Sequence, residues 1–108
     1  KRPDVVIGDR FGASADAAIV DRVEEAFAAA GLHVIRNAPF AGAYVTQHYG
    51  RPSRRQHAIQ IEIDRSIYMN EQMIRPNANF EPFKRLIRSV VCDLTEIGRR
   101  KDVPLAAE

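Results

Sequence analysis

The stretch Asp4-Val5-Val6-Ile7-Gly8-Asp9-Arg10-Phe11-Gly12 decides how the rest of the chain reads. Its first half is a continuous β-branched run, the pattern of a strand buried on both faces. Its second half, with two glycines and three polar or aromatic residues, is a loop. A fully apolar strand that breaks into a glycine loop, with an amphipathic stretch after it, is how a strand–helix–strand unit begins.

Downstream, Ser14 stands in the N-cap position of an alanine-rich stretch from about Ala15 to Ala30. In that stretch Ile19, Val20, Val23, Phe27 and Ala30 share one helical face, and Asp16, Asp21, Glu24 and Glu25 cover the other. Gly31 then supplies the C′ residue. Leu32-His33-Val34-Ile35-Arg36 reads as a second strand running into the irregular Asn37–Tyr44 loop, which contains Pro39 and Gly42. A short extended piece is expected around Tyr44–His48. His57–Asp64 alternates strictly, with Ile59, Ile61 and Ile63 on one side and Gln60, Glu62 and Asp64 on the other. Asn79 to about Arg99 is a long helix with a stripe of Phe83, Leu86, Ile87, Val90, Val91, Leu94 and Ile97. Cys92 beside that stripe reads as an inert core thiol, and Lys101–Glu108 as a tail. The order of elements argues an α/β fold, a parallel or mixed sheet with flanking helices. Two large helices would cover only three or four strands, as if the chain were part of a larger sheet.

Composition narrows the function. The 108 residues carry 16 basic and 14 acidic side chains, a net charge of +2, which is too even to imply nucleic acid. Arg51, Arg54 and Arg55 lie together without an aromatic platform and read as a solvated loop. No apolar run has the length of a membrane span, and the charged start has no signal-type apolar stretch after it. One cysteine permits neither an internal disulfide nor a cysteine zinc cluster. His33, His48 and His57 do not have metal-ligand spacing and read as structural.

In open α/β sheets ligands collect beyond the carboxyl ends of the strands. If all strands here are parallel, Arg10, Asn37, Glu62 and Arg65 converge on one rim. Glu62, set among isoleucines, is the candidate for proton transfer if partly buried; a strand carboxylate facing water is the ordinary alternative. Gln60, on the same face, reads as solvent-facing or bonded to a neighbouring strand. Arg10, Arg36 and Arg65 could each grip a carboxylate bidentately or sit in a surface ion pair. Asn37 could bind ligand or start a turn. Tyr44 and Tyr68 could lend hydroxyls or simply pack.

Three blocks in order resemble the N-formylglutamate amidohydrolases: Arg2–Ser14; Asn37–Tyr44 with Tyr49-Gly50-Arg51-Pro52; and His57–Met69. The resemblance covers about Arg2 to Glu71. It implies a fold like that of the zinc carboxypeptidases and aspartoacylase, with residues 1–100 as the C-terminal part of a larger single domain and 101–108 as tail. It implies a cytoplasmic enzyme of histidine degradation that hydrolyses N-formyl-L-glutamate, or a related N-acyl amino acid, to formate and the free amino acid. Zinc is implied as cofactor, polarising the formyl oxygen and activating water. Its ligands in the family, a His/Glu pair and a histidine in an Asp-x-His-Ser stretch, lie upstream of the first block and are absent from these residues.

By motif position Glu62 matches the glutamate that moves the proton. Arg10, Asn37 and Arg65 match positions near the substrate, Gly42 a place of close backbone approach, and Tyr44 the tyrosine of the family's loop. The sequence departs from the family's usual pattern at Ala15 (cysteine), Phe40 (tyrosine), Ala43 (glycine) and Asn70 (aspartate). Two other readings stand beside this one: a binding module gripping small carboxylates through Arg10, Arg36 and Arg65, and a structural piece that needs a partner chain to complete its sheet. Neither a nucleic-acid nor a membrane partner is expected.

Overall fold

The computed structural model describes residues 2–107, with side chains through residue 98. These divide into two units, Lys1–Asp64 and Arg65–Glu108. The first unit is built on β1 (Val5–Gly8), flanked by β2 (Val34–Arg36) and β3 (Gln60–Ile63) in the order β2-β1-β3. β1 pairs parallel with β2 and antiparallel with β3, so the sheet is mixed. The apolar run is the reason β1 takes the centre. Val5 and Ile7 are 0% exposed and Val6 7%, and each side chain so buried contributes about 1.5–3 kcal/mol.

Between β1 and β2, α1 (Ala17–Ala29) buries Val20, Val23 and Phe27, the heart of the predicted stripe. It closes in a Schellman motif: Gly31 N–H donates to Ala28 O at 2.9 Å and Leu32 N–H to Phe27 O at 3.3 Å. Its start differs from expectation. Asp16, not Ser14, is the N-cap. The buried Ser14 turns away: its Oγ donates to Ala58 O at 2.7 Å, and Ala58 N–H returns a bond to Ser14 O at 2.9 Å. The Asp16 N–H is met by His57 Nδ1 at 3.1 Å, a structural use of that histidine.

The residues around Tyr44–His48 are not extended. They form α2 (Tyr44–Tyr49), which begins where Ala43 O accepts from Gln47 N–H at 3.0 Å and from the buried Thr46 Oγ at 2.9 Å. The β-branched pair Val45-Thr46 suggests strand by propensity, but local hydrogen bonding outweighs it. A one-turn 3₁₀ helix, Pro52–Arg54, follows, and an Arg51–Gln56 bridge closes this excursion before β3.

The second unit opens with a 3₁₀ turn, Arg65–Ile67, and a short hairpin of β4 (Met69–Asn70) and β5 (Arg75–Pro76). α3 (Phe80–Ala107) completes it. Tyr68 packs: its ring stacks on Phe83 at 5.6 Å and meets Phe80 edge-on at 6.1 Å. Of the expected stripe of α3, Phe83, Val90 and Ile97 are buried, one every two turns, Leu86, Ile87 and Leu94 are half-buried, and Val91 alone is exposed, at 52%. Cys92, next along, is exposed and so is not a core thiol. Side chains of the stretch expected as a tail, 101–108, lie outside the described residues. No described helix is long and apolar enough to cross a membrane.

Candidate functional site

Strand direction determines which of the expected residues meet. Because β3 runs antiparallel to β1, its carboxyl end lies opposite the beginning of β1: Ile63 aligns with Val5, and Asp64 N–H donates to Asp4 O at 3.0 Å. The single rim expected from an all-parallel sheet therefore does not form. Glu62 sits one rung down, beside Val6, and Gln60 occupies the rim beside Gly8. Side chains two apart on a strand share a face, so Gln60 and Glu62 project together from the side that carries Val6. Glu62 is exposed, the ordinary state of a strand carboxylate facing water, and the partial burial that would have favoured proton transfer is not found.

That face is crossed by the loop following β2. Gly8 makes the crossing possible: a Cβ there would lie 2.7 Å from the Ala41 carbonyl carbon and 2.8 Å from the Gly42 nitrogen. The loop is tied down on both sides. From the β1 side, Arg10 N–H donates to Ala41 O at 2.8 Å, and Arg10 Nη1 reaches Gly42 O at 3.4 Å. From the β3 side, Gln60 Oε1 accepts from Ala43 N–H at 3.2 Å while Gln60 Nε2 donates to Glu62 Oε2 at 3.1 Å. Gly42 has φ +114°, and a Cβ there would strike the Thr46 side chain. This is the close approach that glycine permits.

At the loop's start, Asn37 has φ +61° and Arg10 φ +52°, left-handed conformations that cost little for asparagine and more for arginine. The Asn37 amide is largely used internally. Its Oδ1 accepts from Asp9 N–H at 3.1 Å, and its Nδ2 donates to the buried Asp9 carboxylate at 2.8 Å. One Nδ2 hydrogen is left for other partners.

Beside Glu62 an open groove of about 220 Å³ is lined by Arg2, Pro3, Asp4, Val6, Pro39, Phe40, Ile63 and Asp64. Its end carries an Arg2–Asp64 ion pair at 3.3 Å. Glu62 itself makes no ion pair among the described residues; its hydrogen bond comes from Gln60. An exposed carboxylate with one oxygen held and the other open can accept and return a proton.

Arg36 points elsewhere. It aligns with Ile7, on the sheet face opposite Glu62, and is gripped by Glu24 at 2.6 Å and Asp21 at 2.7 Å from α1. The Asp21 hydrogen bond, reinforced by Glu24, holds its guanidinium above the ordinary arginine value. Tyr44 is 65% exposed and its ring stacks on His48 at 5.0 Å. Arg65 belongs to the second unit, where it pairs with Glu71 at 3.3 Å.

The first unit thus links Arg10 to Gly42, Asn37 to Asp9 and, through Gln60, Glu62 to Ala43. Sequence reasoning under-weighted Gln60 and passed over the groove walls Pro39 and Phe40. The available signal was the shared polar face of positions 60 and 62. Among the described residues no group of three His, Cys, Asp or Glu side chains could hold a metal ion. The described residues therefore offer no ligand set of their own for the zinc that the resemblance implies, whose ligands it places upstream of the first block.

Comparison with known proteins bears on the same segments. The chain is 38% identical over 95 residues to an N-formylglutamate deformylase of Pseudomonas aeruginosa, covering 87% of this chain and 35% of that protein. A Pseudomonas putida N-formylglutamate deformylase is 39% identical over 72 residues, 66% of this chain and 27% of the relative. The crystal structure of N-formylglutamate amidohydrolase from Ralstonia eutropha JMP134 superposes with a TM-score of 0.78 at 33% identity, covering 92% of this chain and 34% of that one. The chain spans about a third of the length of these proteins. The sequence profile of the N-formylglutamate amidohydrolases matches residues 1–69, which hold the whole sheet, the crossing loop and Glu62, and the chain belongs to that family.

Proposed function

We propose that this chain forms part of a C–N amide hydrolase acting on N-formyl-L-glutamate or a related N-acyl amino acid, and that it supplies the proton carrier and part of the substrate pocket. The observation that carries the reading is the state of Glu62. Its carboxylate has no cation pinning it among the described residues, is steadied by a neutral amide, and stands on the face crossed by the loop following β2. Glu62 takes a proton from the attacking water as the C–O bond forms. It returns that proton to the substrate nitrogen as the C–N bond breaks, giving formate and the free amine.

Arg10, whose backbone is fixed by Ala41 and whose Nη1 touches Gly42 O, offers further guanidinium donors to a substrate carboxylate. Asn37 contributes its remaining amide hydrogen and Tyr44 an exposed hydroxyl, while Gly42, whose side-chain space is taken by Thr46, is assigned a place at the substrate by the resemblance alone. Arg65 is assigned a substrate carboxylate by the resemblance alone. The implied zinc has no ligand set among the described residues, and no step here runs through it. The commitment of Arg36 to Asp21 and Glu24 disfavours a carboxylate-binding module built on three arginines.

The test is Glu62→Gln in the full polypeptide that carries these residues, with formate release from N-formyl-L-glutamate as the assay. Turnover should fall about 10²–10⁴-fold with KM little changed. Near-normal turnover would remove Glu62 from the reaction.

A further inference from the structure

We propose that Gln60 is a positioning residue for the reaction, holding Glu62 and the Gly42–Tyr44 segment in one fixed relationship. The proposal rests on Glu62 being the proton carrier.

A glutamine amide has one end that only accepts and one that only donates. At position 60 both ends meet partners of a single kind. Ala43 N–H can only donate, and it lies 3.2 Å from Oε1; the Glu62 carboxylate can only accept, and its Oε2 lies 3.1 Å from Nε2. The orientation of the amide is therefore set by chemistry, since a flip would break both bonds. Glu62 is left with Oε1 free of Gln60 and its other oxygen held, so its orientation is restricted while a proton-accepting site stays open.

The other end of the bridge is equally placed. Ala43 is the N-cap of α2, and its carbonyl holds Gln47 and Thr46. The preceding residues, Ala41 and Gly42, are bonded to Arg10. Gln60 thus links the carboxylate to the same short segment that Arg10 grips from the opposite side.

The nearest replacements in size each fail one of these requirements. Glutamate keeps the acceptor for Ala43 but places a second carboxylate against Glu62. Asparagine is one methylene shorter, and methionine fills the volume with neither polar end. A group misplaced by about 1 Å from the reacting atoms can cost on the order of 10²-fold in rate, which is the effect expected through Glu62.

The experiment uses the full polypeptide and compares Gln60→Met and Gln60→Glu, alone and with Glu62→Gln. Thermal melts identify the folded variants. Gln60→Met should lower kcat about 10–100-fold with KM within about 3-fold. Gln60→Glu, which keeps the Ala43 bond, should lose at least as much. Neither substitution should reduce activity further once Glu62 is glutamine, because residues acting as a unit are non-additive. Wild-type kcat in a folded Gln60→Met variant, wild-type behaviour of Gln60→Glu, or losses that multiply in the double variant would each overturn the proposal. If Gln60→Met does not fold, Gln60→Glu and its combination with Glu62→Gln decide by the same criteria. An active Glu62→Gln enzyme would instead sink the underlying reading of Glu62. An inactive one with multiplying losses would sink the role of Gln60 alone.

Discussion

Asn37 and Asp9 bond each other reciprocally: the Asn37 amide donates to the Asp9 carboxylate at 2.8 Å, and the Asp9 backbone N–H donates to the Asn37 amide oxygen at 3.1 Å. The loops that leave two neighbouring parallel strands are thereby locked together next to Arg10. Asp9 is only 5% exposed, so loss of the asparagine strands a buried carboxylate with one donor fewer. Asn37→Ala also places alanine at a positive φ. The expected cost is about 2–3 kcal/mol, measured as a fall in urea-unfolding free energy; a loss below about 0.5 kcal/mol would show that the pair is not holding the loops.

Two glycines of opposite surroundings make a second test. Gly8→Ala drives a methyl into the Ala41 and Gly42 backbone, which cannot yield as a flexible side chain would. It should destabilise by about 1–3 kcal/mol or more. Gly98→Ala, in α3 with nothing within 4 Å of the new carbon, should stabilise by about 0.5–1 kcal/mol. Thermal melting of both variants checks the contrast.

Arg36 lends itself to a pH and salt experiment. Its folded-state value is raised by its carboxylate partners. The arginine's contribution is therefore fully present below its unfolded value and is lost only as pH rises through the still higher folded value, in strong alkali. Arg36→Met should cost less than about 1 kcal/mol at low salt, since the pair is partly exposed, and less again in concentrated salt. The arginine's own titration should add no difference between pH 7 and pH 10. Denaturant titrations of both forms at those pH values measure it.

The 108-residue chain by itself should bind zinc substoichiometrically and release no formate from N-formyl-L-glutamate, since its described residues assemble no three-ligand cluster. Equilibrium dialysis with metal analysis, alongside a formate assay, checks both. One tightly bound zinc per chain together with turnover would contradict the prediction.

Much of the fold is legible in the residues, where hydrophobic pattern and burial coincide. The Val5–Ile7 run becomes the central strand, and the Val20, Val23 and Phe27 spacing becomes the buried side of α1. Strand direction is not legible, because the alternation at 59–64 reads the same whichever way the strand is traversed. That is why Glu62 and Gln60 exchange their expected positions relative to the rim. The helical state of Tyr44–Tyr49 is hidden by a β-branched pair, and the exposure of Cys92 by its place next to Val91, the one exposed member of the expected stripe. At the site, the types of residue pointed to carboxylate chemistry. Which arginine was already engaged by α1 depended on contacts 12 and 15 positions apart in the chain, and what anchors the far end of the Gln60 amide on one 17 positions apart.

The turn at Arg51–Gln56 has a consequence for how this protein can tolerate insertions and deletions. Adding or removing one residue within Gln60–Ile63 would exchange its two sides, sending isoleucines to the side of Val6 and acid and amide to the side of Val5 and Ile7. The Arg51–Gln56 bridge pinches off a small excursion of exposed residues just ahead of that strand. Changes in length there can be absorbed as a larger or smaller bulge, leaving the phase of the strand, and hence the identity of the groups presented to the groove, untouched.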